Sequence, residues 1–317
     1  MKNTIRLLSL MLALLMCMFC FTACGEKEEA KKPTVVVGYT LYEPMNYLDA
    51  DGKLIGYDTD LAKKIFTNLG YEVIFKEINW DNKYTDLNSG VIDCIWNGFT
   101  CNSADDDGIL RSDKVDFSYK YMENRQVVVI KNGTTVATAE DLKGKIAAAE
   151  SGSAGESYAK DFEGISYKGV TKQTDGLMEV NAGTADFAVV DEQLAKSYCG
   201  QGDYANLTIV EALSSDVEYY AIGFKKGSEL TKKVNEQLEK CGQDGTIDAL
   251  IKAYPKCANT AIKDFSDRRP LRNNLSKKVN IKTLADGIFI PSAILLYRGL
   301  NNRPCYTRNW RRINDFC

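Results

Sequence analysis

Short apolar runs alternate along the chain with segments whose apolar residues recur at helical spacing, and this alternation predicts α/β architecture. TVVVG at 34–38 reads as a strand and DADG at 49–52 as a turn. Asp58 is then expected to cap a helix in which Leu61, Ile65 and Leu69 share one face and Gly70 ends the run. A strand over 71–78, a short helix over 84–89 closed by Gly90, and a strand over 91–96 follow. Two strand–helix–strand units in succession imply right-handed crossovers and a parallel sheet.

A second set begins at Gln126 with QVVVI, passes through a helix-like EDLKGK segment and a strand at 146–149, and includes ADFAVV at 185–190. A strand over 219–224 and helices over 230–241 and 246–254 complete it. The pattern describes two similar lobes joined by extended crossings near 125–130 and 218–224. Such a layout leaves a cleft at the carboxyl ends of the strands, where α/β sheets bind ligands.

The two ends of the chain depart from this pattern. Lys2 and Arg6 precede an uncharged, mostly apolar run over 7–21, too short to span a bilayer and of the form of an export signal. It closes on Phe21-Thr22-Ala23-Cys24, which resembles a bacterial lipobox. Residues 1–23 are accordingly expected to be a signal peptide and Cys24 the lipidated residue, with two or three acyl chains holding the protein to a membrane at about 0.8 kcal/mol per buried CH₂. GEKEEAKK then makes 24–33 a charged tether. At the other end, 256–317 carries 13 Lys and Arg against 4 Asp and Glu and shows no domain-sized apolar pattern. It is read as an atypical tail, disordered or produced by a shifted frame, so that the core is expected to be complete by Ala258.

Composition narrows the chemistry. The chain has no histidine, which removes Ser-His-Asp and Cys-His catalysis and His-ligated zinc together. The body between the tether and the tail is acidic, which argues against nucleic acid. No CxxC lies outside the leader, and a Cys199–Cys241 bridge is left open by spacing alone. Ser157-x-x-Lys160 lacks the elements that accompany it in serine acyl-enzymes and reads as a helix-surface coincidence. Asp105, Asp106 and Asp107 read as a solvated loop. No metal or cofactor site emerges.

Eight segments taken in order resemble one family: GYTLYEPMNYLDADGKLIGYDTDLAKKI, WDNKYTDLNSGVIDCIWNGFT, VDFSYKYMENRQVVV, DLKGK, AAAESGS, NAGTADFAVVDEQLA, YYAIGFKKGSEL and DGTIDALIKAY. They are similar to the family 3 solute-binding proteins of ABC importers for polar amino acids. The resemblance implies a two-lobe periplasmic-binding-protein fold of type II, each lobe a mostly parallel sheet flanked by helices, with two hinge crossings. It places lobe 1 at 34–126 plus 222–255 and lobe 2 at 127–221.

The resemblance also implies ligand contacts. Asn97, Gly98 and Thr100 would hold the α-groups of an amino acid. Arg111, six residues before Phe117 of VDFS, would grip its carboxylate through a bidentate fork, although CNSADDDGIL ahead of it is longer than the family connection. Gly152 and Ser153, between a strand and a helix, would offer amides to an anion. Asp191 would pair with the ligand ammonium, or else cap the helix that follows. Tyr42 and Trp80 would wall the side chain. The expected protein is a monomeric, cofactor-free receptor, lipid-anchored outside the cytoplasmic membrane, that captures a polar amino acid such as cystine or glutamine by lobe closure and delivers it to an ABC permease. The alternative is a cyclohexadienyl or arogenate dehydratase-like enzyme on the same fold, with Glu150 or Glu43 as its acid.

Overall fold

The computed structural model describes residues 32–265. The leader, Cys24 and most of the tether, and the tail from 266 onward lie outside the described residues.

The first lobe begins with β1 (Thr34–Tyr39), whose alternating Val35 and Val37 are buried. A hairpin of β2 (Tyr47–Leu48) and β3 (Leu54–Ile55) follows, turned by Asp49, whose carboxylate accepts the amides of Asp51 and Lys53. Helix α1 (Tyr57–Asn68) starts at Gly56, where φ is 126° and a Cβ would lie 2.1 Å from the Met45 carbonyl oxygen, so only glycine fits. The expected cap, Asp58, is instead inside the first turn. Its carboxylate turns into the core and accepts the Gly98 amide at 3.1 Å and the Tyr121 hydroxyl at 2.8 Å. Next come β4 (Glu72–Glu77), α2 (Lys83–Ser89), β5 (Cys94–Ile95), α3 (Arg111–Lys114) and β6 (Asp116–Phe117).

The chain crosses through β7 (Met122–Asn124) into the second lobe, which holds β8 (Gln126–Lys131), β9 (Ile146–Glu150), α4 (Ala154–Lys160), β10 (Ser166–Val170), α5 (Gln173–Ala182), β11 (Phe187–Asp191), α6 (Glu192–Tyr198) and β12 (Leu207–Val210). It returns through β13 (Glu218–Tyr220), then adds β14 (Gly223–Phe224), α7 (Glu229–Gln243) and α8 (Thr246–Ala253) to the first lobe.

Each lobe is a five-stranded sheet, ordered β4-β1-β5-β14-β6 and β10-β9-β11-β8-β12. In both, the three strands of the strand–helix–strand units run parallel and the strand arriving from the other lobe is antiparallel. The crossings themselves form a two-stranded antiparallel ribbon, β7 with β13, shorter than the sequence suggested because Gln126–Lys131 is already a buried strand of the second sheet.

The chain stays packed beyond Ala258, which corrects the expected end of the core. Glu123 N–H donates to the Thr260 carbonyl at 2.8 Å and Ile262 N–H to the Tyr121 carbonyl at 2.9 Å, so the segment runs alongside the ribbon as a further strand-like edge. Gln193 donates to the Thr260 hydroxyl at 3.1 Å, and Cys257 and Phe265 are buried in the main core with Val234, Leu238 and Cys241. Basic composition hid this: the packing uses backbone pairing and one aromatic ring. Cys94, Cys101, Cys199, Cys241 and Cys257 are all unbridged.

Candidate functional site

A cleft lies between the lobes at the carboxyl ends of β5, β9 and β11. The first lobe lines it with Trp80, Asn97, Gly98, Thr100 and Arg111, and the second with Glu150, Ser153, Ala154, Gln173 and Asp191.

On the first-lobe side, the chain leaving β5 is held from behind. The Asn97 side chain is spent on structure: its amide donates to the Thr40 carbonyl and to Asn46 Oδ1, and its oxygen accepts the Thr40 hydroxyl. Gly98 has φ of 57°, and a Cβ there would stand 2.8 Å from the Tyr42 ring. Tyr42 therefore lies beneath the cleft rather than in its wall; it is buried, with its hydroxyl 2.7 Å from that of Tyr220. This corrects its expected role, because the turn Tyr42–Asn46 folds the ring into the first-lobe core. Trp80 does line the cleft, packed edge-on against Phe99 at 5.4 Å.

Arg111 is almost wholly buried. Its Nε donates to Asp105 Oδ1 at 2.8 Å, Nη1 to the Thr100 carbonyl at 3.3 Å, and its guanidinium sits 5.3 Å from the Phe99 ring centre. Burial would raise Asp105, but Arg111, together with bonds from Lys114 and Tyr84, brings its carboxyl down to about 2. The 101–110 loop thus supplies the counter-charge that fixes the guanidinium. The loop is ion-paired rather than merely solvated: Asp107 also pairs with Lys114 at 2.8 Å.

On the second-lobe side, Asp191 is the position before α6, yet its side chain makes no cap bond. Oδ1 accepts Asn124 Nδ2 at 2.7 Å and Gln126 Nε2 at 2.6 Å, and Oδ2 accepts Gln173 Nε2 at 2.5 Å. The same two amides, with the Thr100 hydroxyl at 3.0 Å, bond Glu218 Oε1 at the hinge. Burial raises both carboxyls, and Asp191 raises Glu218 further. Glu150, at the end of β9, is buried and pushed well up by burial and then by Asp191; its Oε1 has no hydrogen-bond partner.

Gly152 and Ser153 differ from expectation in which groups they offer. The Gly152 amide is taken by Glu156 Oε2 at 2.6 Å, while Ser153 Oγ caps α4 through the Glu156 amide, a reciprocal arrangement that uses the helix's own carboxylate. Ser153 N–H goes to the Glu150 carbonyl at 3.2 Å. It is the Gly152 carbonyl that reaches the other lobe, accepting Lys83 Nζ at 2.8 Å and Arg111 Nη2 at 3.3 Å. Lys83 is buried between the Trp80 and Tyr84 rings, and burial, followed by Arg111, lowers its amine to about 7. Further out, Asp106 receives Ser157 at 3.2 Å and Lys160, and Lys172 pairs with Glu77 at 2.6 Å.

Lys83, Gln126, Asn124, Gln173 and Glu218 were missed from sequence. Glu218 carried a signal, being an acid between Val217 and Tyr219, and Gln126 stands at the start of the apolar run QVVVI. Lys83 and Gln173 look like helix-surface residues until the lobes meet. Glu43, offered as an alternative acid, pairs with Lys256 at 3.0 Å away from the cleft lining.

The chemistry is that of a clamp, with a guanidinium on one wall and carboxylates on the other. The family model of bacterial extracellular solute-binding proteins, family 3, matches residues 35–256. The L-cystine-binding protein TcyA of Bacillus subtilis (strain 168) is 32% identical over 71% of this chain and 82% of its own length. The arginine-binding extracellular protein ArtP of the same organism is 27% identical over 74% and 92%. Among solved structures, an ancestral arginine-binding protein bound to arginine superposes with a TM-score of 0.64 at 33% identity, over 70% of this chain and 98% of that one.

Proposed function

The chain belongs to the bacterial extracellular solute-binding proteins, family 3, and from that premise we propose that it is the receptor of an ABC importer, capturing a polar α-amino acid outside the cytoplasmic membrane and presenting it to the permease. The observation that carries this reading is the pairing of Arg111 on one wall with Asp191 on the other, both buried and both pre-held by neighbours. Arg111 takes the ligand carboxylate through its Nη face, and Asp191 takes the ammonium. A zwitterion bridging the two walls favours the closed state, because only there are both charges compensated. The relatives named for arginine and cystine support an amino acid as the ligand class. Lipidation at Cys24 would keep the receptor beside its permease, supported by the charged and apolar leader and by FTAC.

The test is calorimetry of the purified chain against the twenty amino acids and cystine. At least one polar amino acid is expected to bind. Asp191→Ala should then weaken it by about 3 to 5 kcal/mol, since an ammonium is left in the cleft without its partner. Undiminished affinity in that variant, with the fold intact, would remove Asp191 from the site.

A further inference from the structure

The charges lining the cleft do not balance for a neutral amino acid. Arg111 answers the ligand carboxylate and Asp191 its ammonium, which accounts for the zwitterion itself. Glu150 remains. It is 3% exposed, lines the same cleft, and its Oε1 is buried with no donor. The cations that act on it give their hydrogen bonds elsewhere. Lys83 holds the Trp80 and Gly152 carbonyls, and Lys172 holds Glu77. The other acids near it are Asp191, held by three amides, and Asp175, which accepts the Lys172 amide. Burial and the missing donor on Oε1 disfavour the ionised form of Glu150, and a ligand that brings a counter-charge and N–H donors would let it ionise in place.

We propose that Glu150 is the specificity-determining residue of the cleft, and that it selects an α-amino acid whose side chain ends in a guanidinium or ammonium. The inference rests on the receptor reading above and narrows its ligand class. Glutamine offers Glu150 a carboxamide N–H but no charge. Cystine brings a second ammonium together with a second carboxylate, which would face Glu150 and Asp191 with the wrong sign. A cationic side chain meets Glu150 without adding an anion, and its several N–H donors satisfy the orphan oxygen directly.

The experiment is calorimetry on the purified full chain with arginine, lysine, citrulline, glutamine and cystine. Citrulline replaces the guanidinium of arginine by a neutral ureido group of nearly the same shape, so the pair isolates the charge. Arginine or lysine is expected to bind at least about thirtyfold more tightly than citrulline, the ratio expected of one buried charge pair. Glu150→Gln, which keeps the shape of the side chain, should lower arginine affinity by a similar factor and move citrulline by less than about threefold. Citrulline, glutamine or cystine binding as tightly as arginine would overturn the proposal, as would an arginine preference that survives Glu150→Gln. If that variant does not fold, the arginine-to-citrulline ratio of the parent decides alone. Tight, Asp191-dependent binding of a neutral amino acid would defeat this inference and leave the receptor reading standing. No binding of any amino acid would defeat both.

Discussion

Asp58 shows how far a side chain's role can move once its surroundings are known. In sequence it stands at the start of a helix, where acids are common caps. In the structure it is fully buried behind the cleft floor, receiving the Gly98 amide and the Tyr121 hydroxyl. Burial pushes its carboxyl up to about 7 in spite of those two bonds. Between about pH 4 and pH 7 the folded protein therefore holds a proton that the unfolded chain has released, and this residue's contribution to stability falls as pH rises through that window. Asp58→Asn keeps an acceptor for both donors and cannot ionise. Chemical denaturation of both proteins should show the parent losing, relative to the variant, on the order of 3 kcal/mol from about pH 4 to pH 8. A stability difference that does not change with pH would mean that Asp58 is not held protonated.

At the scale of elements, the 101–110 loop does two jobs with adjacent residues. Asp105 faces inward and fixes Arg111; Asp106 faces across to α4, where it meets Ser157 and Lys160. Ser157 and Lys160 thus share one partner, Asp106, on the facing loop. Both Asp106 and Lys160 are about two-fifths exposed, so solvent screens the pair and its worth is no more than about 1 kcal/mol. Asp106→Ala is expected to loosen closure and weaken ligand affinity by about two- to fivefold without altering ligand preference. Affinity of the parent should also fall with added salt more than that of the variant. Equal affinities for the two proteins across a salt series would show that the loop does not latch the lobes.

For the molecule as a whole, the decisive addition is the segment from Pro255 to Phe265, which ties the ribbon between the lobes to the first-lobe core. It contributes two backbone bonds to β7 and its flank, the Gln193–Thr260 contact and a buried ring. A chain ending at Ala258 is expected to unfold about 2 to 4 kcal/mol more easily than one ending at Phe265, the sum of burying one phenylalanine and making a few hydrogen bonds. Denaturant midpoints of the two chains test this; equal midpoints would mean that the segment adds nothing to the core.

Local pattern alone predicted the alternation of strands and helices, because period-two and helical apolar spacing are set by neighbours in sequence, but it left α3, β10, α5 and β12 unread. The family resemblance, rather than local pattern, is why Gly98, Thr100, Arg111 and Asp191 could be named before any contact was known. What a side chain does at those positions was not legible. Tyr42 falls beneath the floor because Gly98 makes room for its ring. The Gly152 amide is claimed by Glu156, while its carbonyl reaches the opposite lobe. Glu150, Gln173, Lys83 and Glu218 enter the site only when the two lobes come together, since each is brought there by chain segments far apart in sequence. Local propensity chooses elements, but burial, partner and charge state are properties of the assembled interior, where a desolvated group must find its counterpart wherever the fold has put it.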